Sequence, residues 1–263
     1  MPEIDPNAHV SPAAELAEDV VVGAGAVIEA GAVVGKGCKI GYHAVITSAV
    51  ELGENNHVGH GCILGADPQH LTFDPGIPTA LRIGDGNTLR EYATIHRSAF
   101  EGKATMVGNR NFLMTGAHLG HDCQVGDDNA IANNVLLAGH VELGNHNFIG
   151  GGSVAHQFTR IADYVMAQGI SGMGMDVPPY VIVYKVNRIA ALNVIGLRRA
   201  GFDRKTRDEI RKAFDLFYKG GLNKSQALEE ADKLTWGPEA AAFFDFIRQA
   251  GKRGICPYRA ENK

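Results

Sequence analysis

Residues 22–64 read VGAGAVIEAGAVVGKGCKIGYHAVITSAVELGENNHVGHGCIL, and every sixth position from Val22 is aliphatic: Ile28, Val34, Ile40, Ile46, Leu52, Val58 and Leu64. The same step reaches back through Leu16 to Val10. It resumes at Ile83, Leu89 and Ile95, then runs from Val107 through Leu113, Leu119, Val125, Ile131, Leu137, Leu143, Ile149, Ala155, Ile161 and Ala167 to Met173, 25 hexads in all. Glycine follows the aliphatic residue in 13 of the 25, where a corner can use its freedom at positive φ. Four places after the aliphatic residue comes something small, such as Ala26, Ala44, Asn111, Ala117 or Asn129. Short flat strands joined at such corners cannot bury an apolar face alone, so they stack coil on coil. Three hexads make an 18-residue coil, and the frame predicts a parallel β-helix of roughly eight coils at the ~4.8 Å strand spacing.

The 33 glycines among 263 residues fit this repeat and lack the every-third spacing of collagen. Two places break the frame. From Leu64 to Ile83 the step is 19 instead of 18, with Pro68, Pro75, Gly76 and Pro78 inside it, which predicts a loop at about 65–82 thrown out of the wall. Glu101 occupies an aliphatic slot and marks a smaller irregularity. After Asp176-Val-Pro-Pro the six-residue period ends, and Ile189–Arg199, Arg204–Tyr218, Ser225–Leu234 with Ser225 as N-cap, and Pro238–Ala250 read as helices. The expected division is a β-helix over 1–186 and a helical C-terminal domain over 187–263.

Composition excludes several classes. No run of 18 apolar residues is present to span a bilayer, and the acidic N-terminus MPEIDPNAHVSPAAE has no signal-peptide pattern, so a cytoplasmic protein outside the membrane is expected. A net charge of −4 gives no general electrostatic case for nucleic acid. The charge is uneven, with 16 Lys/Arg against 10 Asp/Glu after residue 186 and 9 against 19 before it, so the tail could meet an acidic partner. Cys38, Cys62 and Cys123 fall in the small-residue slot and read as packing thiols, with no disulfide or CxxC framework.

Five histidines, His118, His121, His140, His146 and His156, crowd into 39 residues of the repeat. Residues 18 apart are neighbours one coil up, which places His121, Gly139 and Gln157 in one column and Asp122 under His140. An imidazole beside a carboxylate is a general base for a hydroxyl, and a glycine one coil away can offer its N–H to an oxyanion. The same cluster also reads as a zinc site built from His118, His121 and His140 or His146, as in gamma-class carbonic anhydrases, which share the repeat.

The strings IGDGNTLREYATIHR (83–97), NFLMTGAHLGHDCQVGDD (111–128), IANNVLLAGHVELG (131–144), FIGGGSVAHQF (148–158), DVPPYVI (176–182) and NVIGLRRAGF (193–202) resemble the acyl-carrier-protein:UDP-N-acetylglucosamine O-acyltransferases of lipid A biosynthesis, over almost the whole chain. The resemblance implies a left-handed β-helix, a homotrimer with sites between subunits, and transfer of a 3-hydroxyacyl chain from acyl carrier protein to the sugar 3-hydroxyl without metal or cofactor. It implies His121 as general base, Asp122 as its orienting acid and Gly139 as the oxyanion-hole glycine. It places Gln69, His118, His140, His156, Gln157, Asn193 and Arg199 at the substrate and nucleotide site, and Gly169 at the position limiting acyl length, where glycine favours a longer chain. The basic tail residues Arg198, Arg199, Arg204, Lys205, Arg207, Arg211 and Lys212 would meet the acidic carrier. The sequence departs from the family pattern at His70 and Thr72, where the loop normally carries an acid and a lysine, and at Ile195 and Ala200 in the tail. These departures leave a related acceptor, a 3-amino UDP-sugar, as a second expectation.

Overall fold

In a computed structural model describing residues 1–258, the hexads form the walls of a three-sided prism. The end of the expected helical domain, 259–263, lies outside the described residues. Strands of mostly two residues carry the aliphatic position inward and its predecessor outward, as in Lys39–Ile40 and Gln124–Val125. They hydrogen-bond in parallel to the coils above and below. The first face has 11 strands, from Glu3–Ile4 to Arg188–Leu192; the second has nine, from His9–Val10 to Gly172–Met173; the third has eight, from Glu15–Leu16 to Arg160–Ile161. Together with the hexapeptide repeats this is a left-handed parallel β-helix with a C-terminal helical region. The frame residues from Val22 to Met173 are buried, each worth ~1.5–3 kcal/mol for a fully enclosed Val, Leu or Ile.

Each edge of the prism is satisfied differently. On the edge between the third and first faces, buried Asn56, Asn87, Asn111 and Asn129 stack, each amide reaching a carbonyl one coil on. Beside them Asp85, Asn109, Asp127, Asn145 and Asp163 form a second ladder in which each Oδ1 accepts the backbone N–H of the residue one coil earlier. Alternating acid and amide keeps like charges from adjoining. The Cys62 and Cys123 thiols, pushed up to about 11 and about 12 by burial, donate to carbonyls inside the corners as packing atoms.

Both frame breaks are larger than the sequence count suggested. Leu52 pairs with Ile83, a coil of 31 residues, where Val34 and Leu52 span the ordinary 18. Thirteen extra residues therefore leave the wall between Leu64 and Ala80. The next coil, Ile83 to Val107, takes 24, so Glu101 is no frame position at all but an exposed residue of a second, six-residue excursion. Both excursions leave from the edge between the second and third faces.

The helix expected from Ile189 begins only at α1 (Val194–Arg199), capped by Asn193. Arg188–Leu192 instead folds back as an antiparallel strand on Val181–Tyr184, burying Ile189 and Leu192. α2 (Arg204–Lys219) starts at the Asp203 cap and buries Ile210, Ala213 and Phe214. α3 (Lys224–Asp232) is capped by Asn223 in a capping box with Gln226, not by Ser225. α4 (Pro238–Arg248) buries Ala240, Phe243, Phe244 and Ile247 against α2. The chain then returns to the β-helix, where the Cys256 N–H donates to Asp176 O. No helix of the described residues is long and apolar enough to cross a membrane.

Candidate active site

His121 and Asp122 sit at a corner on the edge from which both excursions depart. Asp122 adopts φ 60°, in the left-handed region that a tight corner demands and that Asp tolerates better than most residues. One of its oxygens accepts from Ser98 Oγ, and the other accepts from Ala99 N–H at 3.1 Å and from His121 Nδ1 at 2.7 Å. Its own N–H donates to the buried Thr105 Oγ1 at 2.8 Å. Burial alone would raise the carboxyl, but the hydrogen bonds from Ser98, His121 and Ala99 outweigh it and hold Asp122 below the usual carboxylate range. An ionised carboxylate only accepts, so His121 Nδ1 carries the hydrogen, and the neutral form of the ring has its free lone pair on Nε2.

That Nε2 lies over Gly139. A Cβ at 139 would stand 2.7 Å from His121 Nε2 and 2.8 Å from Cε1, so only glycine leaves room for the ring. Among the described residues nothing accepts from the Gly139 N–H, whereas the N–H groups of Asn109, Asp127 and Asn145 on the ladder edge are each capped by a side chain. The corner thus sets a free basic nitrogen beside a free amide N–H. The 18-residue step places Gly139 against His121 as read from the sequence, and beside that pair His140 stacks on Phe158 with centroids 4.4 Å apart and meets His121 edge-on at 5.1 Å. A groove of about 470 Å³ opens beside it, lined by Phe100, Lys103, Asp122, His140, Phe158 and Arg160.

His118 belongs to the outward face of the neighbouring strand. Burial, and then the adjacent His96, lower it to about 4, so it is neutral at physiological pH; its Nδ1 is 2.8 Å from Thr94 Oγ1. His156 and Gln157 are exposed one coil above Gly139, and Gln69 is exposed on the loop. Three of the residues named from the sequence are not brought to this corner. Gly169 lies on the edge between the first and second faces, over Gly151. Asn193 and Arg199 lie by the third edge, where Asn193 Nδ2 donates to Tyr164 O and Oδ1 caps Gly196 N–H.

The imidazole trio of the zinc reading is not assembled. His146 stacks on Tyr164 at the far edge, and His118 is engaged with Thr94 and His96. Among the described residues the group with donor atoms within 4.8 Å is His121, Asp122 and His140, and the Asp122 oxygens and His121 Nδ1 in it already bind one another and the Ser98–Ala99 segment.

Sequence reasoning also missed what surrounds His121. Arg97 fastens the large loop through an ion pair to Asp67 at 2.8 Å, a bond to Pro75 O at 3.0 Å and the face of Phe73 at 5.0 Å, and the loop brings the His70 ring to 5.8 Å from that of His121. The proline cluster signalled the loop; nothing in the spacing signalled its inward reach.

Two family models match, one described as UDP N-acetylglucosamine O-acyltransferase, domain 2, over residues 176–256, the other as bacterial transferase hexapeptide (six repeats) over 104–139. An acyl-(acyl-carrier-protein)–UDP-N-acetylglucosamine O-acyltransferase of Halorhodospira halophila is 39% identical over 258 residues, covering 97% of this chain and 99% of the relative. The chain belongs to that O-acyltransferase family. A second member, from Gloeothece citriformis, is 38% identical over 81% of this chain and 79% of its own. The crystal structure of the Moraxella catarrhalis UDP-N-acetylglucosamine O-acyltransferase superposes with a TM-score of 0.91 at 37% identity, covering 96% of this chain and 99% of that one. For the O-acyltransferase family fold, then, the match extends through both the β-helix and the helical tail.

Proposed function

We propose that the protein transfers a 3-hydroxyacyl chain from acyl carrier protein to the 3-hydroxyl of UDP-N-acetylglucosamine, the first step of lipid A biosynthesis. The observation that carries this is the corner itself, where a His121 Nε2 with a free lone pair, held through Nδ1 by an ionised Asp122, adjoins an unpaired Gly139 N–H. His121 takes the proton of the sugar hydroxyl as its oxygen attacks the thioester carbonyl. The Gly139 N–H donates to the oxyanion; the C–S bond then breaks, and the proton passes from His121 to the departing carrier thiolate. Asp122 keeps the imidazole in the required tautomer and offsets its charge. The acceptor sugar follows the relatives' names, which specify UDP-N-acetylglucosamine, and nothing favours a 3-amino sugar or a zinc enzyme.

The working form is a homotrimer in this reading. Phe148 on the first face and Leu136 and Val154 on the second expose apolar side chains on either side of the edge that carries Ile170. Copies packed there would cover them and bring the Gly169 edge and the Asn193–Arg199 cap of one copy toward the His121 edge of another. Gln69, His118, His140, His156 and Gln157 would line the sugar and acyl path. The enzyme would act in the cytoplasm, where the acidic carrier meets the basic helices α1 and α2.

Incubation with a 3-hydroxyacyl carrier protein and UDP-N-acetylglucosamine tests the activity: a UDP-sugar heavier by one acyl group is expected, and its absence with a native-mass trimer would overturn the reading. Mixing His121→Ala with Arg199→Ala subunits tests the shared site. Partial recovery of turnover is expected only if the two residues act from different copies.

A further inference from the structure

Asp122 is held differently from the corners stacked above it. There the left-handed residue gives its N–H to a backbone carbonyl of the coil below, His140 to His121 O at 3.0 Å and Phe158 to Gly139 O at 3.2 Å. Beneath Asp122 the wall opens for the six-residue excursion, and the N–H goes to Thr105 Oγ1 instead. Ser98 stands where that excursion leaves and Thr105 just past its return; both are fully buried, and both hydroxyls are directed at Asp122. The Ser98 hydroxyl is itself oriented. Its oxygen accepts Phe100 N–H at 3.1 Å, and its single hydrogen goes to the carboxylate, since Phe100 O at 3.4 Å is the farther acceptor. The Ser98 N–H donates to Ala80 O at 3.1 Å, where the 13-residue excursion rejoins the wall. Gly102 N–H to Pro78 O and Ala80 N–H to Lys103 O tie the two excursions together around it.

We propose that Ser98 is a positioning residue for the acid–base pair: through Asp122 it fixes the direction of the His121 imidazole, so that the corner works as a chain of Ser98, Asp122 and His121. This rests on the reading of His121 as the base. Ala99 N–H and His121 Nδ1 converge on one oxygen of the carboxylate, and Ser98 holds the other. With both oxygens held the carboxylate cannot turn about its own axis. Without Ser98 it can, and the Nδ1 bond then carries the ring with it, swinging Nε2 relative to the Gly139 N–H. A serine hydroxyl donating to an ionised oxygen makes a charge-assisted bond, the stronger class, so the restraint is a firm one. Being buried, Ser98 acts only through its neighbours. The imidazolium that Asp122 must face forms as the sugar hydroxyl loses its proton, and the loss on removing Ser98 therefore falls on kcat rather than on binding.

The test is steady-state kinetics with 3-hydroxyacyl carrier protein and UDP-N-acetylglucosamine for wild type, Ser98→Ala and Ser98→Cys, and for Ser98→Ala in a His121→Ala background. Ser98→Ala is expected to lower kcat roughly 10- to 100-fold, the range of a hydrogen bond to a charged group, with KM for both substrates within about twofold of wild type. Ser98→Cys, close in shape but a weak donor, should fall between the two. In the His121→Ala background Ser98→Ala should lower the residual rate no further, because no base is left to position. Wild-type kcat in Ser98→Ala overturns the proposal. A loss by the same factor with and without His121 also overturns it, by making Ser98 a structural residue only. Retained turnover in His121→Ala alone removes the base assignment itself, whereas an inactive His121→Ala beside a fully active Ser98→Ala removes only the role of Ser98.

Discussion

Replacing Gly139 with alanine separates two reasons for a glycine beside the base. If its N–H alone mattered, alanine would serve, because alanine has the same N–H and Gly139 does not use a positive φ. The added Cβ would instead stand 2.7 Å from His121 Nε2, about 0.7 Å inside the 3.4 Å at which ordinary contact begins. Little around the ring can yield. Nδ1 is held by Asp122, which is pinned by Ser98, Ala99 and Thr105, and His140 and His70 stand at the ring's edges. The imidazole must swing off its carboxylate or out of line with the substrate. A misplacement of this order costs roughly 10²-fold in rate, about 2.7 kcal/mol of transition-state stabilisation. The corner is at the surface, so the melting temperature should fall by only a few degrees. Steady-state kcat with 3-hydroxyacyl carrier and UDP-N-acetylglucosamine, beside a thermal melt, gives both quantities. A Gly139→Ala enzyme with wild-type kcat would refute the steric argument and show that the backbone N–H, which alanine also supplies, is all the position needs.

Arg97→Ala should free the loop without unfolding the prism, because its partners Asp67, Phe73 and Pro75 all lie on the excursion; faster proteolytic nicking within 67–78 and a several-fold rise in KM are expected, and unchanged protease resistance would speak against the clamp. Asn111→Leu breaks the buried amide ladder in the middle, leaving Gly126 O without its amide donor and the Asn129 N–H without its acceptor, at a cost of about 2–4 kcal/mol read as a loss in denaturant midpoint. His118, lowered to about 4 in the fold, stays neutral there while the unfolded chain takes up a proton near pH 6.5, so stability should decline as pH falls from about 6.5 toward 4. Allowing for its partial exposure the decline is of order 1 kcal/mol, and His118→Asn should flatten it in a melting series over that range.

The wall of the prism was legible because one residue in six must be aliphatic to fill a three-sided core, and nothing else in the chain competes with that period. What failed was the bookkeeping where the chain leaves the wall. A step of 18 places Ala104 under Asp122, but the true coil there has 24 residues, and the partner that supports the carboxylate is Ser98. The support of the Asp122 carboxylate was therefore hidden by six residues of excursion. Arg188–Leu192 was misread because a short run of Ile, Ala, Ala and Leu suits either helix or strand. Tertiary pairing with Val181–Tyr184 decided it. The His121–Gly139 column lies above both excursions, where coils keep to 18, and so survived intact. The inward reach of His70 has no local signature, since it depends on Arg97 gripping the loop from another coil.

The most direct test of the account is turnover by His121→Ala under conditions where the protein keeps its oligomeric mass and melting temperature. The account predicts a fall in kcat of at least roughly 10²-fold with the acyl carrier and UDP-sugar still bound, since the base acts only as the proton leaves the hydroxyl. A His121→Ala protein that acylates UDP-N-acetylglucosamine at a rate near wild type would contradict it.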